Sequence, residues 1–207
     1  MKKYQALALL RNATLVALAS LTLGGCAALV VGGAVGTALL VSDRRTSGVQ
    51  IEDQAIELKA VNRIREAVGE RGHVNVVSYN RSVLLTGEVA SEADRSAIEQ
   101  TVTRIENVRS TLNELAVMGS SSLTARSNDT ILTSKVKASF IDAKDLHANT
   151  LKVITERATV YLLGRVTERE ATRASDLARG VSGVQKVVRV FEILTEAELA
   201  ELGGRKN

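Results

Sequence analysis

The sequence is poor in the residues that build disulfides, metal sites and nucleic-acid platforms. It has one cysteine, Cys26, and two histidines, and only 2% of its residues are aromatic. A single thiol cannot form an internal disulfide, and no Cys/His cluster has metal-ligand spacing, so stability must come from ordinary hydrophobic cores. The few aromatic residues offer nucleic-acid bases no stacking platform. We therefore expect no metal, no cofactor and no nucleic-acid partner.

The N-terminus has the parts of an export signal. Two lysines stand at the start, and Ala13 to Leu23 form an apolar run with the length of a secretory core rather than of a membrane span. The segment 23–26, Leu-Gly-Gly-Cys, resembles a lipobox, in which the cysteine is acylated and the chain is cut just before it. The sequence thus predicts a cleaved signal peptide at residues 1–25 and a lipid anchor on Cys26. An ordinary signal peptide or an uncleaved membrane anchor is the alternative.

Removal of this signal changes the charge of the chain. The full sequence has 27 basic and 23 acidic residues, and the signal contains Lys2, Lys3 and Arg11 but no acidic residue, which leaves 24 against 23. The mature chain is therefore nearly neutral. Its overall charge gives no support to the binding of nucleic acid.

The segment that follows Cys26 is apolar and rich in glycine. Residues 27–41 contain three glycines and are too short to cross about 30 Å of hydrocarbon comfortably. We interpret residues 26–54 as an acylated, flexible tether that begins beside the acyl chains. A membrane-inserted hairpin is the alternative.

Two internal repeats divide the mature chain. Residues 83–89, Val-Leu-Leu-Thr-Gly-Glu-Val, match residues 160–166, Val-Tyr-Leu-Leu-Gly-Arg-Val, at a shift of 77. Further on, Asn107 and Gly183 occupy equivalent places at a shift of 76, and Asn and Gly most readily adopt the left-handed conformation that closes a helix. The two copies therefore share one fold.

The hydrophobic pattern of each copy predicts the order helix, strand, strand, helix, strand. In the first copy Ile56, Ala60 and Ile64 recur on one helical face, and the dipeptide Asn80-Arg81 suits the turn between two strands. The first helix of the second copy is predicted near residues 129–141.

We therefore predict an α+β chain of two αββαβ domains behind a cleaved lipoprotein signal peptide. Each domain is a small mixed sheet with two helices on one face. In the second domain, Thr167 and Glu170 form a capping box for the second helix. The predicted boundaries are a first domain at 55–118, a linker at 119–127, a second domain at 128–194 and a C-terminal tail at 195–207, which has the composition of a short polar helix.

These residues resemble a known family. The repeated strand pattern, the Val181-Ser182-Gly183-Val184 turn and the αββαβ order are similar to BON domains, and two of these behind a lipobox resemble the dual-BON-domain outer-membrane lipoproteins. The resemblance implies a non-enzymatic protein, anchored in the outer membrane and facing the periplasm. It also implies binding of anionic, phosphatidylglycerol-like phospholipid through the second domain, in support of envelope integrity and cell division. Ala27 agrees with this location, because Asp directly after the acylated cysteine is the usual signal for retention in the inner membrane.

The charge distribution also indicates that the second domain is the one that binds lipid. Residues 128–194 contain 11 basic and 8 acidic side chains, whereas residues 55–118 contain 8 and 9. A positive surface attracts anionic lipid headgroups.

The first helix of the second copy has an apolar residue off its core stripe. Alignment of the copies places Leu132 in a core position and leaves Ile131 outside, on one face with Lys135, Ala138 and Asp142. An exposed apolar side chain beside a lysine suits insertion into acyl chains while the ammonium meets phosphate. We assign phospholipid binding to Ile131, Leu132, Lys135 and Ala138. The family resembled here has an aromatic residue at the position of Ile131.

A second hypothesis makes the chain a periplasmic protein-interaction scaffold that is tethered to the outer membrane and acts through an envelope protein partner. His73 and His147 have no Cys or convincing acidic partner near them in the sequence, and we expect them at the surface or at a domain interface. The Arg44-Arg45 pair either contacts headgroups or is linker charge. No residue pattern indicates a catalytic site.

Overall fold

The structure is a computed structural model and describes residues 43–69 and 72–204. Local sequence signals mark the points where its helices begin. Thr46, Ser91, Ser122 and Thr167 each precede a helix, and the hydroxyl of each accepts a hydrogen bond from a backbone N–H of the first turn. At the fourth helix the Glu170 side chain also accepts from the backbone N–H of Thr167. The predicted capping box is thus confirmed.

Both copies have the predicted order of elements. The first domain consists of α1 (Ser47–Val68), β1 (Gly72–Tyr79), β2 (Ser82–Val89), α2 (Glu92–Thr103), β3 (Ser110–Asn113) and β4 (Ala116–Val117). The second domain consists of α3 (Leu123–Asp142), β5 (Leu151–Glu156), β6 (Thr159–Val166), α4 (Glu168–Gly180) and β7 (Lys186–Ile193). A 3₁₀ turn at Ala148–Thr150 leads into β5, and a last helix, α5 (Glu196–Gly204), follows β7.

Each domain contains a mixed sheet. β1 pairs antiparallel with β2, and both β3 and β4 pair parallel with β2. In the second sheet β5 pairs antiparallel with β6, and β7 pairs parallel with β6. β2 and β6 are therefore the central strands, and β1 and β5 are open at one edge.

The two hairpins turn over only two residues each. Asn80 and Arg81 have φ angles of 50° and 67°, and Arg157 and Ala158 have φ angles of 50° and 55°. Positive φ at both central residues is the conformation that joins two twisted antiparallel strands most closely. After the second helix of each domain, Asn107 (φ 67°) and Gly183 (φ 102°) adopt the predicted left-handed conformation.

The helices of each domain cover one face of its sheet, as predicted. In the first domain α1 and α2 bury Ile56, Ala60, Ile64, Ile98 and Val102 against Val83, Leu85 and Val89 of β2. In the second domain α3 and α4 bury Val136, Phe140, Ala174 and Ala178 against Val153, Val160 and Leu162. Each domain therefore has its own hydrophobic core.

The other faces of the two sheets form a third core between the domains. Val77, Tyr79 and Leu84 of the first domain are buried with Tyr161 and Leu163 of the second. Residues from Asp43 onward form one compact unit as a result. The two domains are thus joined by apolar packing as well as by the chain.

Two predicted boundaries and one predicted strand differ from the structure. Residues 47–54, placed in the flexible tether, form the first two turns of α1, because Thr46 caps the helix there. Residues 123–127, placed in the linker, belong to α3, which Ser122 caps. In the first domain the predicted last strand is divided into β3 and β4, and between them Leu115 is buried in the core. The predicted helix in the tail is α5.

The signal peptide, Cys26, Ala27 and the tether up to residue 42 lie outside the described residues. Among the helices that the structure describes, none combines the length and the hydrophobicity needed to cross a bilayer.

Candidate membrane-binding site

One face of α3 packs against the core of the second domain, and the opposite face is exposed to solvent. Asp129, Leu132, Val136 and Phe140 are its buried residues and recur every three or four positions. Ile131 points away from this row, and 53% of its surface is exposed. Lys135 and Ala138 are exposed as well. Three of the four residues assigned to the lipid face thus share one accessible surface.

Leu132 does not belong to this surface. Only 7% of it is exposed, and it packs beside the Gly183 turn, where an added Cβ would lie 3.3 Å from Leu132 Cδ1. Leu132 is therefore a core residue, as its alignment with the first repeat indicates. We remove it from the lipid face.

Two further apolar residues extend the face. Leu123 and Ile141 are 81% and 72% exposed, and they stand 18 residues apart, which is five full helical turns. The exposed hydroxyl residues Ser127, Thr130 and Ser134 lie between them, within about 40° of the same line. We call Leu123, Ile131, Ser134, Ala138 and Ile141 the apolar stripe of α3. Leu123 was missed because the predicted helix began at residue 129.

Two of the hydroxyls along this part of α3 donate hydrogen bonds to the helix itself. Ser134 Oγ donates to the Thr130 carbonyl and Thr130 Oγ1 donates to the Arg126 carbonyl, each over 3.0 Å. Such hydroxyls need no water molecule as acceptor. The cost of moving this face from water into a headgroup layer is therefore reduced.

Lysines flank the stripe on both sides. At 100° per residue, Lys135 lies about 90° from the middle of the stripe in one direction, and Lys137 and Arg126 lie about 80° away in the other. Neither lysine has an ion-pair partner among residues 43–69 and 72–204. Both ammonium groups are exposed and available to anionic groups outside the protein.

Asp129 holds α3 in this orientation. Its two carboxylate oxygens accept hydrogen bonds from the backbone N–H groups of Arg157 and Ala158, at 2.8 and 2.9 Å. These are the two residues of the second hairpin turn. The buried side of α3 is therefore fixed to the sheet, and the apolar stripe is directed outward.

The Arg44-Arg45 pair is not available to headgroups. Arg44 donates two hydrogen bonds of 2.7 Å to the buried carboxylate of Glu170, and its own side chain is 9% exposed. Arg45 pairs with Asp53 over 2.8 Å and lies 4.1 Å from the ring centre of Tyr79. The two arginines thus bind the start of the described chain to both domains, so neither predicted role, headgroup contact or plain linker charge, describes them.

Both histidines lie where they were predicted, at the surface or at a domain interface. His73 is half-buried beside a cleft between the domains, where its Nε2 lies 3.3 Å from Asn75 Nδ2. His147 is exposed in the loop before β5. Within the described part of the chain, no three His, Cys, Asp or Glu side chains stand close enough together to hold a metal ion.

The fold and the sequence define a class of protein. Residues 52–119 and 128–195 each match the model of the BON domain, and these ranges coincide closely with the two αββαβ units. The molecule is a tandem BON-domain protein.

The relatives narrow this class. The chain is 38% identical over 179 residues to the outer membrane lipoprotein DolP of Haemophilus influenzae, covering 85% of this chain and 92% of the relative. It is 31% identical over 151 residues to a 21 kDa hemolysin of Actinobacillus pleuropneumoniae, covering 72% and 78%. The chain therefore belongs to the family of dual-BON-domain outer-membrane lipoproteins, lipid-anchored in the outer membrane.

Solved structures of other proteins are much more distant. A structure of CdsD, a structural protein of the type III secretion system of Chlamydia trachomatis, covers 70% of this chain with 13% identity and a TM-score of 0.29. This likeness informs neither the fold nor the function.

Proposed function

We propose that this lipoprotein binds anionic phospholipid through α3 of its second BON domain and thereby supports envelope integrity and cell division. The observation that carries this proposal is the apolar stripe of α3, exposed over five helical turns between lysines that lack ion-pair partners in the described chain. Apolar side chains at the centre and cations at the margins form the pattern of a helix that lies in the membrane interface.

The energies suit a secondary contact rather than an anchor. Full burial of one Leu or Ile side chain contributes roughly 1.5–3 kcal/mol, and each lysine near an anionic surface adds about 1 kcal/mol. Association costs several kcal/mol of this sum in lost translational and rotational freedom, so the remainder gives weak binding by itself. Acyl chains on Cys26, palmitate among them, would keep the domain near the bilayer, so a weak contact becomes effective through high local concentration. In this mechanism Cys26 holds the protein at the membrane and α3 selects the lipid.

No enzymatic step is part of this proposal. The relatives are named as a lipoprotein and a hemolysin, and neither name is that of an enzyme. Glu170 is an acidic residue of the kind that acts in acid–base catalysis. Its carboxylate, however, accepts hydrogen bonds from Arg44 and from the backbone N–H of Thr167 in the helix cap.

The test is co-sedimentation of the 43–207 unit, which lacks the acyl anchor, with vesicles that contain or lack phosphatidylglycerol. We expect binding only to the anionic vesicles, and weaker binding as salt is raised. Ile131→Glu should weaken binding by about tenfold or more, since a carboxylate would enter the interface. Ile51→Glu is the matched control, because Ile51 is a similarly exposed isoleucine on α1.

A protein-interaction scaffold is the second candidate. Ile51 and Leu58 are 68% and 65% exposed on α1 and, seven residues apart, share one face of that helix. This face offers an apolar contact to an envelope protein. If the 43–207 unit binds neither kind of vesicle, the lipid proposal fails and this second function is favoured.

A further inference from the structure

The strand β1 is open along one edge, and its hairpin determines which backbone groups point there. In a two-residue hairpin the residues that flank the turn, here Tyr79 and Ser82, form a hydrogen-bonded pair, and such pairs recur at every second residue. Val77 and Asn75 therefore direct their N–H and C=O groups towards β2. Residues 74, 76 and 78 direct theirs away from β2, to the open edge.

One end of this edge is protected and the other is not. The backbone N–H of Ser78 donates a 2.8 Å hydrogen bond to Glu57 Oε1, and Lys152 of the second domain pairs with the same oxygen over 3.1 Å. A side chain that occupies an edge amide prevents another strand from pairing there. Within residues 43–69 and 72–204, no such bond protects the N–H groups of Val74 and Val76. This end of the edge can therefore accept a further strand.

A groove of about 420 Å³ lies between the unprotected end of β1 and the helix α1, and we call it the β1 groove. Ile64 and Val68 of α1 line it and are buried, whereas Val61, which also lines it, is 41% exposed. The side chains of Val74 and Val76 pack on the same side of the sheet, against the core of the first domain. An extended segment paired with β1 would thus place every second side chain against this apolar lining.

The β1 groove has a cation at one end. Arg65 lies in the last turn of α1, so it lines the groove at the end where β1 begins with Gly72, and its side chain is exposed. It forms no ion pair within the described residues 43–69 and 72–204. Among those residues, His73 is the other titratable residue of the lining, and no carboxylate belongs to it. An acidic side chain at this end of a bound segment is therefore favoured.

The aligned groove of the second domain is built differently. It is smaller, about 250 Å³, and Ala148 of the 3₁₀ turn also lines it. At the shift of 76 residues, Lys137 and Ile141 occupy the places of Val61 and Arg65. The second groove thus has its cation within the lining and an apolar residue at its end. The apolar lining with a terminal cation is a property of the first domain.

We propose that the β1 groove is a peptide-binding site, in which an extended, acidic segment of a partner protein pairs antiparallel with β1. The backbone of this segment bonds to Val74 and Val76. Its apolar side chains enter the groove beside Val61, and its acidic side chain faces Arg65. Addition of a strand to an open sheet edge is a common mode of peptide recognition, and antiparallel pairing is slightly the more stable. The site goes beyond lipid binding and does not depend on it, since no residue of α3 belongs to it.

The probe is a synthetic peptide, acetyl-Thr-Val-Thr-Val-Thr-Glu-amide, added to the isotope-labelled 43–207 unit without vesicles. Paired antiparallel, its two valines lie opposite Val76 and Val74, and its glutamate lies opposite Gly72. We expect the amide NMR signals of Val74 and Val76 to shift, and that of Val153, the aligned residue on β5, to stay in place. The same peptide with lysine in place of glutamate should bind at least about threefold more weakly.

Two variants test the contacts of the bound peptide. Val76→Pro removes an outward N–H and leaves the bonds between β1 and β2 in place, as edge strands tolerate proline, so binding should weaken about fivefold or more. Arg65→Glu should remove the preference for glutamate over lysine. Arg63→Glu is the matched control, since Arg63 is an exposed arginine of the same helix outside the groove, and it should keep the preference. Thermal unfolding shows whether each variant folds, and the two arginine variants decide the question if Val76→Pro does not.

The proposal is wrong if the peptide shifts neither Val74 nor Val76, or if it shifts Val153 as much as these two. Equal affinity for the glutamate and lysine peptides also contradicts it. Because the probe is soluble and no vesicle is present, failure here leaves the lipid proposal standing, and failure of vesicle binding leaves the peptide site standing.

Discussion

Asp53 and Asp129 lie 76 residues apart and perform the same task in the two domains. Asp53 accepts hydrogen bonds from the backbone N–H groups of Asn80 and Arg81, at 2.8 and 2.7 Å, as Asp129 does from those of the second hairpin turn. Both are buried in the first helix of their domain. A turn with positive φ directs these N–H groups inward, and a carboxylate satisfies both of them with charge-assisted bonds.

Replacement of Asp129 should therefore destabilise the second domain strongly. Asp129→Ala leaves two amides without their acceptor, and each lost charge-assisted bond costs about 1.5–3 kcal/mol, so we expect a loss of at least about 3 kcal/mol. Chemical denaturation of the 43–207 unit measures this loss. Asp142→Ala, at an exposed site of the same helix, should change the unfolding free energy by less than about 0.5 kcal/mol. Equal effects would show that the turn contacts are unimportant.

The helical cores were predictable because a period of 3.6 residues is a local property. The α1 pattern of Ile56, Ala60 and Ile64 and its copy in α3 both lie in the buried faces. The beginnings of these helices were not predicted, because their first turns bury no regular row of apolar residues. Only the caps Thr46 and Ser122 signal them.

The contact between the domains was harder to foresee. In β2 Val83 and Leu85 enter the domain core while Leu84 enters the interdomain core, so the strand is apolar on both faces. A continuous apolar run is the sign of a strand covered on both sides. It does not say what covers the second face, and the cleft between the domains was therefore invisible in the sequence.

Because of Glu170, the free energy of unfolding should decrease at acidic pH. Burial opposes its ionisation, but the hydrogen bonds from Arg44 and Thr167 outweigh burial and lower its pKa from 4.5 to about 2. The stabilisation is therefore complete above pH 4.5 and is lost as the pH falls towards 2, with an upper bound of about 3 kcal/mol. Unfolding free energies between pH 6 and pH 2.5 should fall less steeply in Glu170→Gln. Glu168→Gln, at an exposed site, should keep the slope of the unaltered protein.

Glu156 should show the opposite dependence on pH. Burial raises its pKa, so the folded state binds a proton more readily than the unfolded state, and this carboxyl favours folding more as the pH falls through its folded pKa. Glu156→Gln keeps an acceptor for Asn75 and removes the buried charge. We expect this variant to be more stable than the unaltered protein at pH 8, with a difference that narrows towards pH 5. A difference that stays constant over this range would show that Glu156 has the same pKa in both states.

Replacement of Ile131 by Trp should strengthen membrane binding. Tryptophan prefers the membrane interface, and the chain contains no other tryptophan, so Ile131→Trp also provides a fluorescent reporter on the apolar stripe. Vesicles with phosphatidylglycerol should shift its emission to shorter wavelength. Ile51→Trp, on α1, should show no shift. Equal shifts for both variants would place the whole unit, and not α3 in particular, against the bilayer.

The length of the apolar stripe distinguishes a helix that lies flat on the membrane from one that touches it at a single point. Leu123 and Ile141 point in the same direction from opposite ends of α3, so both enter the interface only if the helix lies parallel to the membrane. We expect Leu123→Ser and Ile141→Ser each to weaken vesicle binding several-fold, and the double variant to weaken it by about the product of the two. Because both side chains are exposed, the unfolding free energy should change by no more than about 0.5 kcal/mol. If Ile141→Ser has no effect while Leu123→Ser does, the helix enters by its N-terminal end, and the C-terminal end of the apolar stripe stays out of the membrane.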